Sequence, residues 1–201
     1  MLLNLHHRGD PANPPYRGPN SDKLSQGSPV TTATELEFCE VEVPPLLAAQ
    51  VSSRSAPDPA SIKPAMEKAF QTLADFLARH GIPMAGQPRA IYTSYGPDRV
   101  SFTVAVPVAA APGDDPAVTI ATLAGGPAFR FTHHGPYQML ARTYGRITEF
   151  LKAQGWINSE ADWARYMPMW EEYLNPPETT PEADLLTYIY LPQTGSEPPI
   201  R

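Results

Sequence analysis

Glu171 and Tyr173 lie two residues apart in the run Trp170-Glu171-Glu172-Tyr173-Leu174-Asn175-Pro176. The run reads as a β-strand, and the two-residue period of a strand puts both side chains on one face. Carboxylates are poor strand formers, so an acid here calls for a reason. A solvated edge strand is one. A pocket is the other, in which the carboxylate meets a cation or a water and the ring supplies a wall. Desolvation in an apolar, aromatic site raises a carboxylate's pKa unless a cation compensates. A lipophilic cation would do so, and each ring would add cation–π attraction of about 0.5–2 kcal/mol. A raised pKa equally suits a general base. Glu172 and Trp170 point the other way, and Trp170 reads as core.

Other aromatic residues are candidates for the same walls. Tyr92 lies in the strand-like run Arg89 to Tyr95. Tyr188 and Tyr190 share one face of the closing run Thr187 to Pro192, opposite Ile189 and Leu191, and that face is expected to be the ligand face. Trp163, in an irregular segment ahead of the Glu171 strand, is expected to roof the site. Met167 and Met169 flank that strand and offer adaptable packing. His133 and His134 are adjacent and point to opposite faces, with no Cys or acid nearby to complete a metal set. Gly125-Gly126-Pro127 is a turn without the ending of a phosphate loop, and there is no dinucleotide fingerprint. No metal and no cofactor are expected.

Composition narrows the class. The chain has 201 residues, 42% of them apolar, enough for a real core. Charged residues make up 18%, against about 25% in ordinary soluble proteins. The net charge of −6 comes without any block of Lys or Arg, which argues against a nucleic-acid partner and for cationic ligands. Cys39 is the one cysteine, so no internal disulfide forms; it reads as a small buried side chain, and a reducing cytoplasm is the simplest location. No apolar run approaches a membrane span, and the first residues lack the apolar core of a secretory signal. The 25 prolines are unevenly spread. Residues 1–34, rich in Pro, Gly, Asn and Ser, read as a disordered tail, and residues 194–201 as a second, short one.

Between the tails, at 35–193, the elements come twice in the same order. Repeat one, about 35–110, has a strand at Leu36 to Val43 and a helix starting near Ser61 and ending at Gly81. Two strands follow, Arg89 to Tyr95 and Val100 to Val108. Repeat two, about 117–193, has strands at Val118 to Leu123 and Ala128 to Thr132. A helix then carries Leu140, Tyr144, Ile147 and Leu151 on one stripe, and Met167 to Leu174 and Asp184 to Leu191 close the pass. Ala90-Ile91-Tyr92 echoes Glu171-Glu172-Tyr173. A duplicated strand–helix–strand–strand unit predicts an α+β fold with pseudo-twofold symmetry. Each helix would cover one face, and the uncovered faces would meet around a ligand groove between the halves.

Three stretches in this order resemble the GyrI-like small-molecule-binding domains, the effector-binding domains of multidrug-responsive bacterial transcription activators. They are His134-Gly135-Pro136-Tyr137 followed by Leu140 and Tyr144, then Glu171 to Pro176, and Thr187 to Pro192. The resemblance implies a groove with aromatic walls and Glu171 at its base. It implies Tyr92 and Tyr173 as wall residues at symmetry-related sites, with Tyr188 or Tyr190 from the last strand. The chain departs from the activators in that only the tail precedes the domain, so a transcription-factor role is not expected. Two functions follow from the resemblance. One is a stand-alone binder of apolar, often cationic compounds. The other is a hydrolase opening reactive cyclopropane rings of genotoxic natural products, with Glu171 as general base beside Tyr173.

Overall fold

Phe102, Val104 and Val106 alternate with Thr103 and Ala105, and this pattern sets the inner face of a sheet whose faces differ in what covers them. The computed structural model describes residues 36–111 and 115–193, so the tails predicted at 1–34 and 194–201 lie outside the described residues. Eight strands form one antiparallel sheet: β1 (Phe38–Val43), β2 (Leu46–Ser55), β3 (Arg89–Tyr95), β4 (Val100–Pro107), β5 (Thr119–Leu123), β6 (Gly126–His134), β7 (Met169–Tyr173) and β8 (Leu186–Pro192). Their order is β1-β6-β8-β7-β3-β4-β2-β5. Helix α1 (Pro59–His80) follows β2 and helix α2 (Leu140–Ala153) follows β6. The units β2-α1-β3-β4 and β6-α2-β7-β8 therefore occupy matching places, and they join where β3 pairs with β7.

The leading strands are exchanged. β1 runs into β2 but pairs with β6, whereas β5 runs into β6 but pairs with β2. The two junctions cross at Gly125, where a Cβ would collide with the Val43 carbonyl oxygen and stand 2.6 Å from the Pro45 nitrogen. Only glycine fits so close a backbone approach.

Strand β2 is the element that pattern reading does not find. Its sequence, LLAAQVSSRS, is rich in Ala and Ser, which have little strand preference, and two prolines precede it. Its place between β4 and β5 decides it. Helix α1 begins earlier than Ser61: the Asp58 side chain accepts a hydrogen bond from the Ser61 backbone N–H at 2.9 Å, and Pro59 takes the first turn. Gly81 ends the helix at φ 64°, and Ile82 N–H bonds back to Leu77 O at 2.9 Å. Phe70, Leu73, Phe76 and Leu77 are buried against the sheet, each contributing about 2 kcal/mol by removal from water. A 3₁₀ turn, Tyr137–Met139, leads into α2, which has no side-chain N-cap. A second 3₁₀ segment, Glu160–Tyr166, carries Trp163.

One expectation is corrected. Both helices lie on the same face of the sheet, the one that bears Glu171. Phe70 of α1 packs on Tyr173, and Tyr144 of α2 bonds to Glu171. The site is thus enclosed between sheet and helices rather than formed from uncovered faces. The reason is the β3–β7 seam: it makes the sheet continuous, and continuity carries one inner face across both halves. No helix is long and apolar enough to cross a membrane.

Candidate functional site

Glu171 stands next to the seam. Its register partners are Ala90 on β3 and Ile189 on β8, both fully buried. The small methyl of Ala90 leaves the carboxylate space that a larger side chain would take. Glu171 is 3% exposed. Tyr144 donates to Oε1 at 2.8 Å and Tyr173 to Oε2 at 2.7 Å. The Tyr92 hydroxyl, diagonal to it across the seam, is near enough to favour its charged form. The structure places the candidates Glu171, Tyr173 and Tyr92 beside one another and adds Tyr144. The signal for Tyr144 was its place on a buried stripe with Leu140, Ile147 and Leu151, because a buried phenol needs a partner for its hydroxyl.

Rings build the surroundings. Tyr173 meets Phe70 edge-on at 5.9 Å and Tyr137 at 5.3 Å, and its hydroxyl is 3.6 Å from the Met66 sulfur. Trp163 packs edge-on against Tyr144 at 6.4 Å and so forms an outer layer, touching a ligand of the carboxylate rather than the carboxylate. Met66, Phe70 and Tyr92 come from the first half, Tyr144 and Tyr173 from the second. Pattern reading missed Met66 and Phe70 as wall residues because both belong to the apolar stripe of α1, where core filling is a sufficient explanation.

The electrostatics follow from burial. Loss of water pushes the Glu171 carboxyl above its ordinary value, and the hydrogen bonds from Tyr173, Tyr144 and Tyr92 pull it back only in part. Burial, and then the charge of Glu171, hold the Tyr92, Tyr144 and Tyr173 phenols far above theirs, so all three remain donors. The Tyr137 phenol is pushed up to about 12, by burial first and then by Glu178 and Glu171. Among the described residues, the side chains that hydrogen-bond Glu171 are tyrosines. Among the described residues no group of three His, Cys, Asp or Glu side chains is placed to hold a metal.

Tyr188 and Tyr190 are corrections. Register places Ile189 beside Glu171, so Tyr188 and Tyr190 lie on the opposite, helix-free face. There Tyr190 stacks on Trp170 at 4.8 Å, and the Arg130 guanidinium lies 4.3 Å over the Tyr188 ring. Glu172 bonds Arg89 on that face, at 2.7 Å from Nε. The acid shares its face with the apolar residues Ile189 and Leu191 because the site is built into the core. Trp170 belongs to the outer cluster.

Two helices thus cover one face of an eight-stranded antiparallel sheet, with a buried carboxylate and convergent phenols beneath them. The GyrI-like small molecule binding domain model matches residues 37–194, and the chain belongs to that family. Among solved structures, the C-terminal domain of EcmrR superposes with a TM-score of 0.61 at 16% identity, covering 79% of this chain and 98% of that one. In the EcmrR–DNA complex the match covers 57% of the EcmrR chain. SAV2435 bound to tetraphenylphosphonium gives 0.52 at 13% identity, over 78% and 93% of the two chains. An uncharacterized conserved protein from Listeria innocua gives 0.52 at 14%, over 78% and 91%. At these identities the likeness is one of fold. No curated protein sequence matches significantly.

Proposed function

We propose that the protein captures apolar, aromatic, cationic small molecules, with Glu171 as the counter-charge and Tyr92, Tyr144, Tyr173 and Tyr137 as walls. The observation that carries this reading is a buried carboxylate whose hydrogen-bond partners among the described residues are hydroxyls. Hydroxyls orient the carboxylate but do not neutralise it. A bound cation would, and the rings around it would add cation–π attraction. Hydrated ions would have to shed their water to reach this depth, so weakly hydrated, delocalised cations are favoured. Tetraphenylphosphonium, the ligand of a protein with this fold, is of that kind.

Admission requires the cover to move. Tyr137, from the 3₁₀ turn between Gly135 and the uncapped start of α2, is the ring laid over Tyr173. The test is titration calorimetry with tetraphenylphosphonium and with neutral tetraphenylmethane-type analogues. Cation binding in the micromolar range that falls about 100-fold in Glu171→Gln, with neutral ligands unchanged, is expected. Equal affinity of the native protein and the variant for the cation sinks the reading. Incubation with a cyclopropane-bearing genotoxin tests hydrolysis, for which Glu171 would deprotonate the attacking water. Ring opening by the native protein but not by Glu171→Gln would add that activity.

A further inference from the structure

Three residues run across neighbouring strands on the inner face: His133 on β6, Thr187 on β8 and Tyr173 on β7. Thr187 is the register partner of both others. It is fully buried, and its hydroxyl has no hydrogen-bond partner among the described residues. Its neighbours are committed elsewhere. The His133 ring bonds the Thr143 hydroxyl at 2.8 Å through Nδ1 and the Pro136 carbonyl at 3.2 Å through Nε2. The Tyr173 hydroxyl donates to Glu171 and reaches Met66. The backbone of β8 is engaged in ladders on both sides. A buried hydroxyl left unpartnered is destabilising, and valine would fill the same volume without that penalty. The hydroxyl therefore calls for a use.

Its position suggests one. Thr187 is diagonal to Glu171 across the β7–β8 pair, because Glu171 faces Ile189 two residues on. Diagonal neighbours in an antiparallel pair are about 7–8 Å apart. The Tyr137 ring meets, edge-on at 5.3 Å, the ring of Tyr173, the register partner of Thr187.

We infer that Thr187 is a second, uncharged polar contact for the ligand. It recognises a neutral hydrogen-bonding group, such as an amide, ester or hydroxyl oxygen, carried about 6–8 Å from the cationic centre. This rests on the cation-site reading of Glu171. The ligand class becomes aromatic cations with a polar substituent at one end, rather than wholly apolar cations. Being both donor and acceptor, the threonine hydroxyl accepts either polarity of partner.

The experiment compares tetraphenylphosphonium with its single para-carboxamide derivative, whose amide extends to this distance, on the full chain. Thr187→Val is expected to weaken the carboxamide probe about tenfold and to change tetraphenylphosphonium less than twofold. Thr187→Ser, which keeps the hydroxyl, is expected to stay within about threefold of the native protein for both. Equal responses of the two probes to Thr187→Val, including no response, overturn the inference while leaving the cation site standing. Failure of the native protein to bind either probe overturns the cation-site reading and this contact with it.

Discussion

Glu171 and Glu172 are neighbours in sequence with opposite neutralisation. Glu172 meets Arg89 across the seam, at 2.7 Å from Nε and 2.6 Å from a terminal guanidinium nitrogen, in a pair about one-tenth exposed. The Arg89 guanidinium also lies 5.8 Å over Trp170. Glu171, one residue away and on the other face, is held among the described residues by tyrosine hydroxyls. Among the described residues the chain thus pairs one carboxylate with a cation of its own and holds the other with hydroxyls. A buried acid with its own arginine is architecture; a buried acid held by hydroxyls is the basis of the cation-site proposal.

The two residues should answer mutation differently. The largest effect belongs to Glu172→Ala, which strands Arg89 in a mostly buried place. A loss of about 3 kcal/mol is expected, or roughly 10 °C in the melting midpoint, and a near-native midpoint would mean that Arg89 finds water. Glu171→Gln should do the reverse for stability while removing cation binding. Because the folded carboxyl titrates above its unfolded value, its favourable contribution is complete below the unfolded pKa, and it is lost as pH rises through the folded one. The glutamine variant should therefore melt higher than the native protein at neutral pH, and this gain should vanish in acid. A variant that melts lower at neutral pH would place Glu171 with Glu172.

Smaller effects refine the contrast. Tyr144→Phe removes a hydrogen bond to a charged group, worth about 2 kcal/mol, and should raise the Glu171 pKa further. The cost should shrink once Glu171 is protonated, measured by denaturant unfolding at two pH values. The smallest effect concerns the cover. Burial holds the His133 imidazole below its ordinary value, so its contribution to stability is present above the unfolded histidine pKa and declines as pH falls through the folded one. The groups facing it are the Thr143 hydroxyl, the Pro136 and Gly135 backbone and the neighbouring His134, whose ring pairs with Glu37 at 3.1 Å. Amide exchange in 136–144 should quicken over that range, and His133→Asn should flatten the response.

The fold was largely legible in the sequence. Strands such as β3 and β4 alternate cleanly, and Gly81 marks the end of α1 with a residue chosen for its backbone. Strand β2 was not legible, because Ala and Ser become strand residues only when neighbours on both sides supply the ladder. For the candidate site, strand period put Glu171 and Tyr173 on one face, and the family resemblance supplied Tyr92 as a matching wall residue. Tyr188 and Tyr190 were misplaced by a reasonable rule, that ligands face away from aliphatic side chains. The rule fails where the binding site is part of the core. Tyr144 was visible as a stripe residue, but its role depended on α2 lying on the Glu171 face of the sheet, which no local pattern encodes.

The crossing at Gly125 has a consequence for how the molecule comes apart. Each half supplies the outermost strand of the other, so neither half is a self-sufficient folding unit. Peeling β1 away from β6 frays the half that contains Glu171, although β1 is tethered to the half that contains Ala90. A lesion at one rim is thus felt at the opposite rim, and the interlocked protein should unravel as a single piece, like a clasp whose two hooks hold each other.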